Sequence, residues 1–295
     1  MASSPEQRSI DEPFDRPKRN WALVWFLLFA VLAFVITLAT GIVVVLSNHA
    51  NLVNGAHPVL HPIHVPLSLI FLLLTIGSYG PALSALIVSA MESGRAGPQN
   101  LLNQFRKWHV SWKWFAIAAL GPIAIRASAL LIAAPLGHKT PIPSFAAPRL
   151  MSLAGLAFGP WGEELGWRGY AQPRLQRRIG ALAASGTVGV TWFLWHYWPA
   201  ATPAGAPLAA LVEDFLASGA PFLMLLITES VIVAWLYNST GGSLPVAWAF
   251  HAAVNLGGRM ILADPTTFNY QVILFAAAAT IVTILYGPRT LARKT

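Results

Sequence analysis

Two adjacent carboxylates, Glu163 and Glu164, stand with Arg168 in the stretch GPWGEELGWRGYAQPRL, in a chain of 295 residues of which only 10% are charged and 56% are hydrophobic. Further along, His196 lies in TWFLWHYW, and His251 and Asn255 share AWAFHAAVN. On a helix with about 3.6 residues per turn, Glu164 and Arg168 are i, i+4 neighbours that can pair, while Glu163 is rotated by about 100° and stays outside that ion pair. His251 and Asn255 have the same spacing and point at one target. Trp192 and His196 share it too, so the indole can pack beside the imidazole. A carboxylate not committed to an ion pair, beside imidazoles in a site that excludes water, is equipped to activate a water molecule. Two routes are open. Glu163 can take the proton itself as a general base, or Glu163, His196 and His251 can hold a divalent metal such as zinc, whose bound water turns acidic. Asn255 and one histidine can donate hydrogen bonds to a developing oxyanion. This equipment suits peptide hydrolysis without a serine or cysteine nucleophile.

The elements that must position these groups are membrane helices. An ordinary soluble domain carries about 25% charged residues. Here apolar segments long enough for a bilayer core about 30 Å thick recur along the chain. Spans are expected near residues 21–46, 65–91, 114–136, 151–171, 181–198, 221–237, 244–262 and 272–286, an all-α bundle of about eight. The first run is far longer than a signal-peptide core of about 7 to 15 residues, which favours a retained anchor. Cysteine is absent, which excludes a disulfide framework, a thiol nucleophile and a thiolate metal site. The net charge of +8 comes from cations at the ends of apolar segments, not from a patch interleaved with aromatics. It therefore points to anionic lipid headgroups and not to nucleic acid.

The expected organisation is a disordered cytosolic tail (1–20), N-terminal spans with a basic amphipathic surface segment near 92–113 (21–147), a catalytic core (148–265), and a last span with a basic C-terminus (266–295). Lys and Arg of the tail, of the connections near 92–113 and 172–180, and of the C-terminus outnumber Lys139, Arg149 and Arg259 on the other side, so both termini are expected in the cytoplasm. Counting from the expected cytoplasmic span ends, Glu163 lies 8 residues before Ala171 and His251 lies 7 after Leu244, a close match. His196, 15 residues after Ala181, is expected deeper.

The ordered set EELGWR, WFLWH and HAAVN resembles the type II CAAX prenyl endopeptidase and bacteriocin-processing (CPBP, or Abi) family of intramembrane proteases, over about residues 151–262 and including the YNSTGGSL turn. By that resemblance Glu163 is the catalytic glutamate and Glu164 and Arg168 support it. His196 helps to bind the water or metal, and His251 with Asn255 holds the oxyanion or completes the site. The family's second motif opens with Phe, where this chain has Trp192. The resemblance implies a prenylated C-terminal peptide as substrate; a leader peptide or an unprenylated membrane protein fits equally well. Members are described both as metalloproteases and as glutamate-dependent proteases, so both routes stay open.

Blander readings compete. Glu163, Glu164 and Arg168 could form an ion-pair cluster that only orients the chain, and a lone His196 is more often a satisfied interior histidine than a ligand. Glu229, in LLITESVIVAW, matches no family motif and is expected to hydrogen-bond to a neighbouring helix. Arg126 is expected to snorkel or to pair with an acidic group. His49, His57, His61 and His64 read as incidental loop histidines. The rival functions are a proton- or cation-coupled transporter and a non-catalytic scaffold or immunity factor.

Overall fold

The structure, a computed structural model, describes residues 21–47, 63–137, 158–197, 212–213, 215–260 and 265–292. The expected tail, the Pro-rich loop at 138–149, most of the 202–220 connection, and His49, His57 and His61 lie outside the described residues. Helices dominate what is described: α1 (Trp21–Leu46), α2 (Leu67–Ser78), α3 (Gly80–Ser93), α4 (Ala96–Asn103) and α5 (Trp112–Ala133) come first. α6 (158–164) then runs into a π-helical turn, Leu165–Ala171. After it follow α7 (Gln172–Ile179), α8 (Ala181–Tyr197), α9 (Ala220–Ser239), α10 (Leu244–Met260) and α11 (Pro265–Tyr286). Among the described residues no strand forms beyond an isolated bridge between Ser47 and Ile63.

The chain is an integral, multi-pass membrane protein. Among the described residues four helical stretches, Trp21–Val44, Trp112–Leu136, Phe215–Ser239 and Thr266–Tyr286, are long and apolar enough to cross a bilayer. Their outward faces are oil: Leu131 and Ile284 are each 75% exposed, a state that water would penalise and lipid does not. The expected span at 65–91 is broken. α2 and α3 meet at an angle of 57°, because Pro81 has no N–H with which to continue the α2 ladder. α8 and α10 have 17 residues each, about 25 Å at 1.5 Å per residue, and lie within the bundle. The basic surface segment is seen as α4 and the 3₁₀ turn Gln104–Arg106.

α9 is the axis of the second half. From Thr228 to Tyr237 every residue is buried, with Leu225, Ile232 and Ala234 in one apolar cluster and Leu226 and Tyr237 in another. α8 packs along α9, α10 along α5, and α1 along α3. The α9–α10 turn is TGGS, in which Gly241 and Gly242 take φ of +63° and +83°, a region open to glycine at little cost. Lys107 fastens that turn from below. Its Nζ donates to the Gly241 carbonyl at 2.6 Å, and its own carbonyl accepts from Ser243 Oγ at 2.6 Å.

Candidate active site

The first two motifs face each other because α6, the π turn and α7 fold back on α8 about Gly180. Its φ of +81° makes the reversal, and the first N–H groups of α8, from Ala181 and Leu182, donate to the carbonyls of Arg289 and Pro288 at 2.9 Å each. Glu163 stands 17 residues before this glycine and His196 stands 16 after it, so the hairpin brings them level. The expectation that His196 lies deeper took the helix to end at Ala171. It continues to Ile179, which removes the mismatch. Within it, Pro173 has no N–H for the Gly169 carbonyl, which takes Gln104 Nε2 instead at 3.2 Å, and the backbone is π-helical up to that point.

His251 reaches the same level from the other hairpin. A Cβ on Gly169 would stand 3.4 Å from Leu244 Cδ1, so the start of α10 lies beside Gly169. Glu163 is six residues above Gly169 and His251 seven above Leu244. The helix that bears Glu163 and Glu164 is pressed against the α2–α3 break: a Cβ on Gly162 would come within 2.6 Å of the Tyr79 ring, and one on Gly166 within 2.7 Å of the Pro81 backbone. Only glycine allows this approach at both positions.

Five of the six residues singled out from sequence form one buried constellation. Glu164 Oε1 accepts from Arg168 Nη1 at 3.1 Å and from His251 Nδ1 at 2.8 Å, with Glu164 and Arg168 fully buried. Glu163 is outside that junction, as its position on the helix predicts. Its Oε2 accepts the indole N–H of Trp192 at 2.7 Å and lies 3.8 Å from His196 Nε2, beyond hydrogen-bond distance. His196 Nδ1 is 3.1 Å from the Trp192 carbonyl, which can only accept, so Nδ1 carries the proton and a neutral ring leaves the Nε2 lone pair facing Glu163. Two acceptors therefore stand face to face, an arrangement that a donor shared between them relieves. The His196 side chain is 33% exposed and gives the pair its access. Asn255 is half-buried one turn beyond His251.

Trp192 is the hub. Its edge binds Glu163, its face carries the Arg168 guanidinium at 4.7 Å, and its ring meets His196 and His251 edge-on, with centroids 5.8 and 5.0 Å away. Sequence spacing foresaw the packing beside His196 but not the hydrogen bond to Glu163, which needs the hairpin geometry. An apolar wall adjoins: Trp161, two residues before Glu163, stacks on Trp248, three before His251, at 4.8 Å, and meets Phe105 at 4.6 Å.

The donor set expected for a metal is Glu163, His196 and His251. Among the described residues no three His, Asp or Glu groups converge with metal-holding geometry. His251 Nδ1 faces Glu164 and Glu163 Oε2 accepts the Trp192 N–H, so a metal here would be held through His251 Nε2, His196 Nε2 and Glu163 Oε1 and would supply an acidified water.

The three motifs fall inside one stretch that matches a family model. Residues 145–257 correspond to the model described as type II CAAX prenyl endopeptidase, Rce1-like. This stretch is similar to that family. A curated relative, "CAAX prenyl protease 2" of Methanococcus maripaludis, is 30% identical over 121 residues, 41% of this chain and 44% of that protein. The chain thus matches less than half of its relative's length, and the matched stretch carries Glu163, Glu164, Arg168, His196, His251 and Asn255.

Glu229, which sequence reasoning set apart as structural, is 2% exposed. Arg126, expected to snorkel or to pair with an acidic group, is 8% exposed. A charged residue in the middle of an apolar helix was the available signal for both.

Proposed function

We propose that the chain is an intramembrane endopeptidase that cleaves a peptide bond of a membrane-associated or lipidated substrate with a water activated by Glu163. The observation that carries this reading is the pair of acceptors, Glu163 Oε2 and His196 Nε2, 3.8 Å apart, in a mostly apolar bundle. A water between them donates one O–H to each and turns its lone pair outward to a carbonyl carbon. Glu163 takes the proton as the oxygen attacks. The tetrahedral oxyanion receives hydrogen bonds from Asn255 and from Nε2–H of His251 as an imidazolium, whose Nδ1–H is held by the Glu164 carboxylate. Glu163 then returns the proton to the departing amine nitrogen as the C–N bond breaks. Glu164 and Arg168 fix His251 and the helix that bears Glu163.

The family match supports protease chemistry, and the printed name of the Methanococcus maripaludis relative points to a CAAX-type substrate. The aromatic wall of Phe105, Trp161 and Trp248 suits a lipophilic side chain or chain end beside the scissile bond. Orientation follows the positive-inside count, with both termini cytoplasmic. The test is cleavage of a panel of prenylated and unprenylated membrane peptides by the purified full chain, read by mass spectrometry with and without chelator. New peptide termini support the reading. Ion flux in liposomes without cleavage replaces it with a transporter.

A further inference from the structure

Away from the reaction centre, two adjoining cavities of about 780 and 530 Å³ lie beside α7, and Lys107, Pro173, Arg177 and Tyr237 line both. Their charge is one-sided. The cations are Lys107, Arg174, Arg177 and Arg289, and the only acid among the lining residues is Glu92. Glu92 is already committed. Its Oε2 accepts from Nε and Nη2 of Arg174 at 2.9 and 2.5 Å, and the Arg174 guanidinium lies over the Tyr170 ring at 3.6 Å. Among the described residues no carboxylate pairs with Lys107, Arg177 or Arg289. Lys107 donates to the Gly241 carbonyl at 2.6 Å, which leaves two of its three N–H bonds, and both Lys107 and Arg177 are exposed at the wall that the cavities share.

Cations left without countercharge around a cavity call for an anion, and the position says which kind. Trp21 and Trp25, on the first two turns of the first spanning helix, also line the larger cavity, with ring centroids 6.4 Å apart and Trp21 50% exposed. Tryptophans at the end of a span sit at the headgroup level of a bilayer. The cavity therefore offers aromatic rings to acyl chains on one side and cations to a headgroup on the other. It lies at the end of the bundle that the positive-inside count assigns to the cytoplasm, where the leaflet is anionic. Arg177 is 14 residues past Glu163, roughly 20 Å along the helix, so an occupant here leaves the reaction centre free. We propose that the paired cavity binds the headgroup phosphate of an anionic phospholipid, seated between Lys107 and Arg177, with Arg289 as the outer countercharge and Trp21 and Trp25 against the acyl chains. Arg177 presents a planar fork of donors that matches two phosphate oxygens, and Lys107 adds a point charge. One phosphate then ties α7 to the segment that fastens the α9–α10 turn. The site stands whether or not the chain cleaves peptides.

Native mass spectrometry of the purified full chain, titrated with phosphatidylglycerol or with phosphatidylcholine of the same acyl chains, tests the site. Wild type is expected to prefer phosphatidylglycerol by about 10-fold or more, and Arg177→Gln to weaken that lipid on the order of 10- to 100-fold, the scale of hydrogen bonds to a charged group. Arg106→Gln removes the same charge from the neighbouring turn, outside both cavities, and is expected to cost no more than about fivefold, the scale of one diffuse charge at a membrane surface. Arg177 has no ion pair to lose, so the lipid-free melting temperature of Arg177→Gln should match wild type. Equal losses in the two variants reduce the patch to diffuse attraction and overturn the proposal, as does equal affinity for the two lipids. Inorganic phosphate at the same concentration is expected not to displace phosphatidylglycerol; if it does, the cavity is a site for a free anion and the lipid assignment is overturned. Binding of a peptide with a free C-terminal carboxylate, lost in Arg177→Gln, while phosphatidylglycerol does not bind, gives the cavity to a peptide and overturns it too.

Discussion

Trp192 Nε1 donates to Glu163 Oε2 at 2.7 Å, across 29 residues and the whole length of the Gly180 hairpin. A phenylalanine, the usual residue of the family's motif at this position, has no N–H to give. The bond holds the very oxygen that faces His196, so the indole sets the direction of the base. Trp192→Phe keeps the ring packing against both histidines and removes the bond. Kcat is expected to fall on the order of 10- to 100-fold, in line with about 1.5–3 kcal/mol for a hydrogen bond to a charged group, with the melting temperature nearly unchanged. Steady-state kinetics beside a thermal melt in detergent check this.

Glu163 and Glu164 are expected to separate cleanly by phenotype. Glu164→Ala leaves the fully buried Arg168 and His251 without their bonded carboxylate, and breaking such a pair costs about 3–5 kcal/mol. Glu163→Gln removes no ion pair with Arg168 and keeps an acceptor for Trp192. Melting curves of the two variants should therefore differ widely, with Glu164→Ala low and Glu163→Gln near wild type.

The helix that bears the carboxylates depends on Gly166. A Cβ there meets the carbonyl carbon and oxygen of Pro81 at 2.7 Å, and these backbone atoms cannot rotate away. Gly166→Ala is expected to destabilise by about 1–3 kcal/mol through overpacking and to slow cleavage, as the catalytic helix is pushed off the α2–α3 break. Gly186→Ala, inside α8 where a Cβ meets nothing within 4 Å, is the matched control and should leave the rate unchanged and not lower stability.

Asn255→Ala removes a side-chain donor aimed, in our mechanism, at the oxyanion. It is expected to lower kcat on the order of 10²-fold with little effect on KM, the pattern of an interaction made only in the transition state. An equal rise in KM with kcat intact would instead make Asn255 a substrate-binding residue.

The local geometry around Glu163 and Glu164 was more legible than the architecture. Helical spacing alone separated Glu163 from the Glu164–Arg168 pair, because i, i+4 geometry is local and survives in any bundle. The break at Pro81 was present in the sequence but hidden by an apolar run that reads as one span. The level of His196 was misjudged because hydropathy marks where a helix leaves the membrane, not where it ends, and the polar residues of α7 carry the same helix on to Ile179. The Trp192–Glu163 bond lay beyond reach, since it depends on how the two arms of the Gly180 hairpin rotate against each other.

The most direct test is the rate at which purified Glu163→Gln cleaves a peptide that the wild-type chain cuts, measured by mass spectrometry at matched folded concentration. The account predicts loss of cleavage, at least 10²-fold on the scale of a missing general base, with insertion and melting intact. Cleavage retained at the wild-type rate would contradict Glu163 as the group that activates the water.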